Sequence, residues 1–288
     1  MRLALLARPR GQDAVVINAD SAQVYADLHV LSARPLEAEM QGIPHRLFGT
    51  WDGAQACSAA DWAKAARVEI DAAHAAGALP VLVGGTGLYI RTLLDGIAPV
   101  PAIDFGVRDA VRAMPVDAAH AALQREDPDR AAVLNPNDAT RIARALEVVR
   151  ATGRTLAAWQ GERQGGIADR VTLAPLVLLP PRPWLYARCD ARFAAMLDAG
   201  AVDEVRTLMG RKLDPALPVM RAIGVREVAA WRAGEWTRDQ ALAAGQQATR
   251  NYAKRQYTWF NNQIPADWPR WTSESSIQDA NLVSLFQK

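Results

Sequence analysis

Three apolar runs punctuate this chain, and each stops abruptly. Ala14-Val15-Val16-Ile17 gives way to Asn18-Ala19-Asp20, Pro80-Val81-Leu82-Val83 to Gly84-Gly85-Thr86-Gly87, and residues 171–179 (VTLAPLVLL) to a pair of prolines. Short, β-branched runs bounded in this way predict buried strands of the parallel-sheet kind. Between the first two, residues 58–76 (SAADWAKAARVEIDAAHAA) carry a serine cap and an Ala-rich helical pattern that ends at Gly77. Strand, helix and strand in this order predict a parallel sheet with a right-handed crossover. A further helix is expected to start at Leu88.

The pattern changes at Pro99 and Pro101. From there to the Gly-rich stretch at 161–166 the spacing is helical, and no strand is expected. Residues 138–152 (DATRIARALEVVRAT) have an Asp cap and place Arg141 and Arg144 on one face. The run at 171–179 then returns the chain to the sheet. The remainder reads as helical, with basic and aromatic residues interleaved over 246–260 (QQATRNYAKRQYTWF). The expected fold class is α/β: a parallel-sheet core formed by residues 1–98 and 170–288, with residues 99–169 as an inserted helical subdomain.

Composition narrows the function classes. A chain of 288 residues can bury a sizeable core, and although 50% of its residues are hydrophobic, no apolar run approaches the ~18 residues of a membrane span. Arg8, Pro9 and Arg10 interrupt the only leader-like segment. The two cysteines, Cys57 and Cys189, lack metal-ligand spacing and suit a reducing cytoplasm. A net charge of +2 does not by itself argue for nucleic acid. Cations do cluster, at Arg141, Arg144 and Arg150, at Arg221 and Arg226, and at Arg250, Lys254 and Arg255; any one cluster alone reads first as a solvated helix face, and the three together shift the balance toward a binding surface.

Candidate chemistry begins at Asp20. Residues just past the carboxyl end of a buried parallel strand line the ligand crevice of an open α/β sheet; an aspartate there can equally cap the next turn. Glycines 84, 85 and 87, at a strand-to-helix turn, would let a ligand approach the backbone. Thr86 between them reads as a functional hydroxyl or as a helix cap.

Six segments in order resemble the tRNA dimethylallyltransferase family: Asp20-Ser21-Ala22-Gln23-Val24-Tyr25, Gly42-Ile43-Pro44-His45-Arg46-Leu47, Val83-Gly84-Gly85-Thr86-Gly87-Leu88-Tyr89, Asn135-Pro136-Asn137-Asp138 with Arg141, Ala222-Ile223-Gly224, and Thr249-Arg250-Asn251-Tyr252-Ala253-Lys254-Arg255-Gln256. The resemblance implies a P-loop NTPase-like core whose helical insertion grips the anticodon stem-loop of tRNA. It implies transfer of a dimethylallyl group from dimethylallyl diphosphate to the N6 amine of the adenosine 3′ to the anticodon, with Mg2+ as cofactor and a cytoplasmic monomer as the working form. Asp20 would be the general base, and Thr86 would lie near the reacting centre. Asp20, Ser21, Ala22 and Gln23, then Thr140, Arg141, Ile142, Ala143 and Arg144, then Arg221 and Arg226 would contact tRNA. Arg226 would also meet the diphosphate, and the Mg2+ ligands are left unspecified.

The resemblance also places a strand and a Gly-x-x-x-x-Gly-Lys-Ser/Thr loop ahead of Asp20, its lysine about twenty residues upstream, where this chain has Met1. The sequence as read is expected to start just after that loop, through a misassigned start codon, and to be weak or inactive without it, since one lost anion donor alone costs 10²- to 10³-fold. Two alternatives follow: a tRNA-binding remnant without catalysis, and a small-molecule kinase of the P-loop class. Val225, where many relatives carry tyrosine, is a lesser departure.

Overall fold

A computed structural model describes residues 1–275 and 277–287. Its internal contacts divide the chain into two compact units, residues 1–92 with 170–288, and residues 93–169.

The first unit opens with helix α1 (Arg2–Ala7), followed by strand β1 (Ala14–Asn18) and a short helix α2 (Glu37–Met40). Strand β2 (His45–Arg46), helix α3 (Ala59–Ala75), strand β3 (Leu79–Val83) and helix α4 (Gly87–Asp95) complete its N-terminal part. The sheet is parallel with order β2-β1-β3, and Val16 pairs His45 on one side and Val81 on the other. Strands β1 and β3 and helix α3 fall where the hydrophobic runs put them. Strand β2, only two residues long, sits in a segment with no apolar run to announce it. Helix α3 starts from a reciprocal cap, in which the Ser58 hydroxyl accepts from the Asp61 N–H at 3.1 Å and the Asp61 carboxylate accepts from the Ser58 N–H at 3.2 Å. Trp62, Ala63, Ala66, Ile70 and Ala73 recur at helical spacing and are buried. On α1, Ala4 and Ala7 pack with Ala14, Val16, Ile43 and Val81; the small residues let this helix lie close to the strands.

The second unit is built from α5 (Phe105–Arg112), α6 (Val116–Glu126), α7 (Pro128–Val133), α8 (Ala139–Thr152) and α9 (Leu156–Gln160). No strand occurs among its described residues. Its core brings Val111 of α5, Leu123 of α6 and Ala131 of α7 against Ile142 and Leu146 of α8. Helix α8 begins where its Asp cap predicts, with the Asp138 carboxylate accepting from the Arg141 N–H at 3.1 Å, and it stops at Gly153, whose φ of +67° suits glycine.

The run at 171–179 departs from expectation. Only Val177–Leu178 is a strand, β4, and it does not join the three-stranded sheet. It pairs in parallel with β5 (Arg270–Trp271) in a separate two-stranded sheet. Pro175 has no N–H to donate, which weakens any ladder through the first half of the run. Val177 and Leu179 then bury against Ile264 with Tyr257, Trp259, Phe260 and Trp268 around them. Between β4 and β5 run α10 (Arg182–Asp198), α11 (Ala201–Gly210), α12 (Val225–Arg232) and α13 (Arg238–Gln263), and α14 (Asp279–Val283) follows β5. Among the described residues no helix is long and apolar enough to cross a membrane.

Candidate active site

Strand β1 ends on Asn18, a fully buried amide that sets the backbone beyond it. Its Nδ2 donates to the carbonyls of Asp20 and Leu47, both at 3.0 Å, and its Oδ1 accepts from the Asp20 N–H at 2.8 Å. Two of these three bonds aim Asp20, and the third ties the strand end to the segment that carries Leu47. The indole of Trp62 donates to the Asn18 carbonyl at 2.8 Å and stacks on the Tyr89 ring at 4.6 Å.

Asp20 is half-buried, and one carboxylate oxygen accepts from the Ala22 N–H at 2.8 Å. It therefore caps its own turn and lines a cleft at the same time. Burial pushes its carboxyl above the usual range, while the Ala22 and Gln23 N–H groups and the charge of Arg192 pull the other way.

Beside it the hydroxyls of Ser21, Thr86 and Tyr252 converge. The Thr86 Oγ1 accepts from the Ser21 N–H at 2.9 Å and donates to the Ser21 hydroxyl at 3.2 Å, so it ties two distant segments together rather than capping α4. The Tyr252 phenol lies near the side chains of Thr86, Ser21 and Gln256; burial, then the charge of Asp20, drives it upward.

The glycines between β3 and α4 are approached by the protein itself. A Cβ on Gly84 would lie 2.2 Å from the Ala19 carbonyl carbon, and one on Gly85 would lie 2.1 Å from the Gln256 amide, which donates to the Gly85 carbonyl. Close approach of backbone at Gly84 and of a side chain at Gly85 accounts for them without a ligand.

The cleft encloses about 310 Å³ and is walled by Asp20, Ser21 and Ala22 on one side and by Arg192, Arg221 and Arg255 among others. Three arginines and one carboxylate leave the lining with an excess of positive charge. Of the residues implied from sequence, Asp20, Ser21, Ala22 and Arg221 share this cleft, and Thr86 supports it from behind through Ser21. Gln23 does not line it: its amide donates to the carbonyls of Ser32 and Ala33 at 2.9 and 3.0 Å. The Arg226 guanidinium lies over the Trp236 ring at 5.9 Å, outside the cleft lining. Thr140, Arg141, Ile142, Ala143 and Arg144 lie on α8 of the helical unit; Thr140, Arg141 and Arg144 are exposed, Ala143 is partly buried, and Ile142 is fully buried in the core.

The sequence gives no sign of Arg192, and it marks Tyr89 only as a motif residue without a role; both line the cleft. Arg192 sits on α10 in no motif. The segment 249–256 divides by function: Tyr252 and Arg255 face the cleft, Arg250 is spent on Asp190 at 2.6 Å, and Tyr257 and Trp259 beyond it pack around β4.

A carboxylate set beside hydroxyls and arginines at the carboxyl edge of a parallel sheet is the arrangement of an α/β enzyme's cleft. A family model described as IPP transferase matches residues 23–263. The chain is 68% identical over 287 residues to a tRNA dimethylallyltransferase of Erythrobacter litoralis, covering all of this chain and 90% of that protein. It is 66% identical over 278 residues to one of Novosphingobium aromaticivorans, covering 96% and 99% of the two. The full-length tRNA isopentenylpyrophosphate transferase of Bacillus halodurans superposes with a TM-score of 0.69 at 30% identity, over 99% of this chain and 89% of that one. A eukaryotic dimethylallyltransferase acting on tRNA gives 0.74 at 26% identity, over 90% and 65%. The chain belongs to the tRNA dimethylallyltransferase family of prenyl-transferring enzymes.

Proposed function

We propose that this protein transfers the dimethylallyl group of dimethylallyl diphosphate to the N6 amine of the adenosine 3′ to the anticodon in tRNA. The observation that carries the reading is Asp20, a carboxylate of raised proton affinity at the sheet edge with arginines across the cleft. In the reaction the N6 nitrogen attacks the first carbon of the dimethylallyl group, the bond from that carbon to the diphosphate oxygen breaks, and the amine proton passes to Asp20. An aryl amine is a poor nucleophile, and a positioned base typically supplies 10²- to 10⁴-fold. Burial that raises the basicity of Asp20 strengthens it in this role. Thr86 holds Ser21, and through it the turn that carries Asp20.

The diphosphate leaves with growing negative charge, which Arg221, Arg192 and Arg255 are placed to offset; Arg226 is the further cation that the family resemblance assigns to it. Mg2+ belongs to the same reading, but the described residues do not themselves fit a site for it. Asp20 is the one carboxylate of the cleft, and no trio of His, Cys, Asp or Glu suited to a metal occurs among the described residues. No step above passes through a metal.

The tRNA would meet Asp20, Ser21, Ala22 and Arg221 at the cleft and Thr140, Arg141 and Arg144 on the exposed face of α8, with residues 99–169 serving as the anticodon-stem grip. Gln23 and Ile142 act as internal supports. The P-loop-type character of the sheet, action as a monomer and a cytoplasmic location complete this reading. The test is product analysis after incubation with dimethylallyl diphosphate and an anticodon stem-loop. Prenylated adenosine is the expected product; RNA binding without transfer in the presence of a family-type phosphate loop would refute the reading.

A further inference from the structure

Glu147 of α8 is buried to all but 2%. Its carboxylate accepts from the Nε of Arg112, on α5, at 2.9 Å and lies 3.8 Å from an Nη of Arg144, on α8. A buried carboxylate needs a cationic partner, and one arginine would balance its charge. Two are present, so the point carries two positive charges over one negative charge that lies beneath the surface. Their side chains are 63% and 45% exposed.

Arg112 spends its Nε edge on Glu147 and keeps its terminal donors; Arg144 spends one terminal nitrogen and keeps the rest. Two other arginines of this unit are each matched to one acid, Arg150 with Glu126 at 2.7 Å and Arg154 with Glu162 at 2.6 Å, and those acids are themselves solvent-accessible. Those pairs cancel where they meet water; the Glu147 cluster does not.

We propose that Arg112 is a phosphate-contacting residue, paired with Arg144 by the buried Glu147 to receive the phosphodiester backbone of the RNA substrate. The inference rests on the tRNA reading above and adds to it a contact from α5, outside every motif of the sequence. Arg112 makes the contact and Glu147 positions it. Planar guanidiniums with free donor edges match phosphate oxygens better than they match uncharged surface.

The test is the salt dependence of anticodon stem-loop binding by the full chain, compared with Arg112→Gln and Arg112→Lys, each checked by thermal unfolding. Arg112→Gln keeps a donor for Glu147 and removes the charge. The expected result is a several-fold weaker affinity and a slope of log K against log salt reduced by about one contact. Arg112→Lys should retain the slope. Unchanged slope and affinity in Arg112→Gln, with or without a lower unfolding temperature, overturn the proposal, because Arg112 then only neutralises Glu147. Failure of the unaltered chain to bind the stem-loop refutes the tRNA reading itself, and is thereby a distinct failure.

Discussion

In the helical unit the side chains that cap a helix come from the same stretch of chain: Asp138 caps α8 three residues before Arg141, and Thr155 caps α9 three residues before Ala158. At the sheet edge the opposite holds. Asp20 is aimed by Asn18 beside it but is flanked by Thr86, Arg192 and Tyr252, which reach it only through β3, α10 and α13. The loop at 28–33, which contributes Leu31 and Ser32 to the cleft, is held in the same remote way. The Glu204 carboxylate of α11 accepts backbone N–H groups from His29, from Val30 at 2.8 Å and from Leu31 at 2.9 Å. Local capping builds a scaffold that tolerates surface change, whereas a site assembled from distant segments fails when any one of them shifts.

The contrast can be broken or sharpened by substitution. The largest stability effect is expected from Leu146→Ala, which empties a fully buried position in the helical core and should cost about 2–5 kcal/mol. Its signature is loss of amide protection across α5, α6 and α8 while β1 and β3 stay protected; equal loss in both units would show that they unfold as one. Gly84→Ala places a methyl against the Ala19 backbone and should cost about 1–3 kcal/mol. Because the strain falls on the segment leading into Asp20, transfer should fall further than stability does. Glu204→Gln, which leaves three loop N–H groups with a poorer acceptor, should cost about 1–2 kcal/mol. Fast exchange confined to the amides of His29, Val30 and Leu31 is the expected readout, and unaltered exchange there would remove Glu204 from the account. Asp138→Ala should cost about 1 kcal/mol, as a lost helix cap does, and leave the cleft untouched.

The smallest effect has a definite sign. Asp20 binds its proton more tightly folded than unfolded, so its ionisation disfavours the fold once pH exceeds the ordinary carboxylate value of 3.8. Asp20→Asn should raise the unfolding temperature slightly at neutral pH, and the gain should vanish as pH falls below that value. A loss of stability at neutral pH would mean that hydrogen bonds from Ala22 and Gln23 outweigh burial.

These differences also mark what the sequence could disclose. Strands β1 and β3, α3 and the capped α8 were legible because a periodic pattern and its stop signal lie within one short window. The run at 171–179 misled because apolar continuity outweighed Pro175, and its partner β5 lies some ninety residues on, in a segment with no strand pattern. Asp20 and Thr86 were legible as motif residues, although Thr86 binds Ser21 rather than a helix end. Arg192 was not, since an arginine on a helix carries no mark of which face it turns to a cleft. Gln23 shows the reverse error, a motif amide that is consumed by its own loop.

The measurement that bears most directly on the central claim is single-turnover dimethylallyl transfer to an anticodon stem-loop, by the chain preceded by a strand and Gly-Lys-Ser/Thr loop of the family kind, with and without Asp20→Asn. The account predicts transfer that declines on the acid side as Asp20 is protonated, at a pH above the ordinary carboxylate value, and a 10²- to 10⁴-fold loss in Asp20→Asn with stem-loop binding retained. Transfer that survives the substitution, or that shows no acid limb, would contradict it.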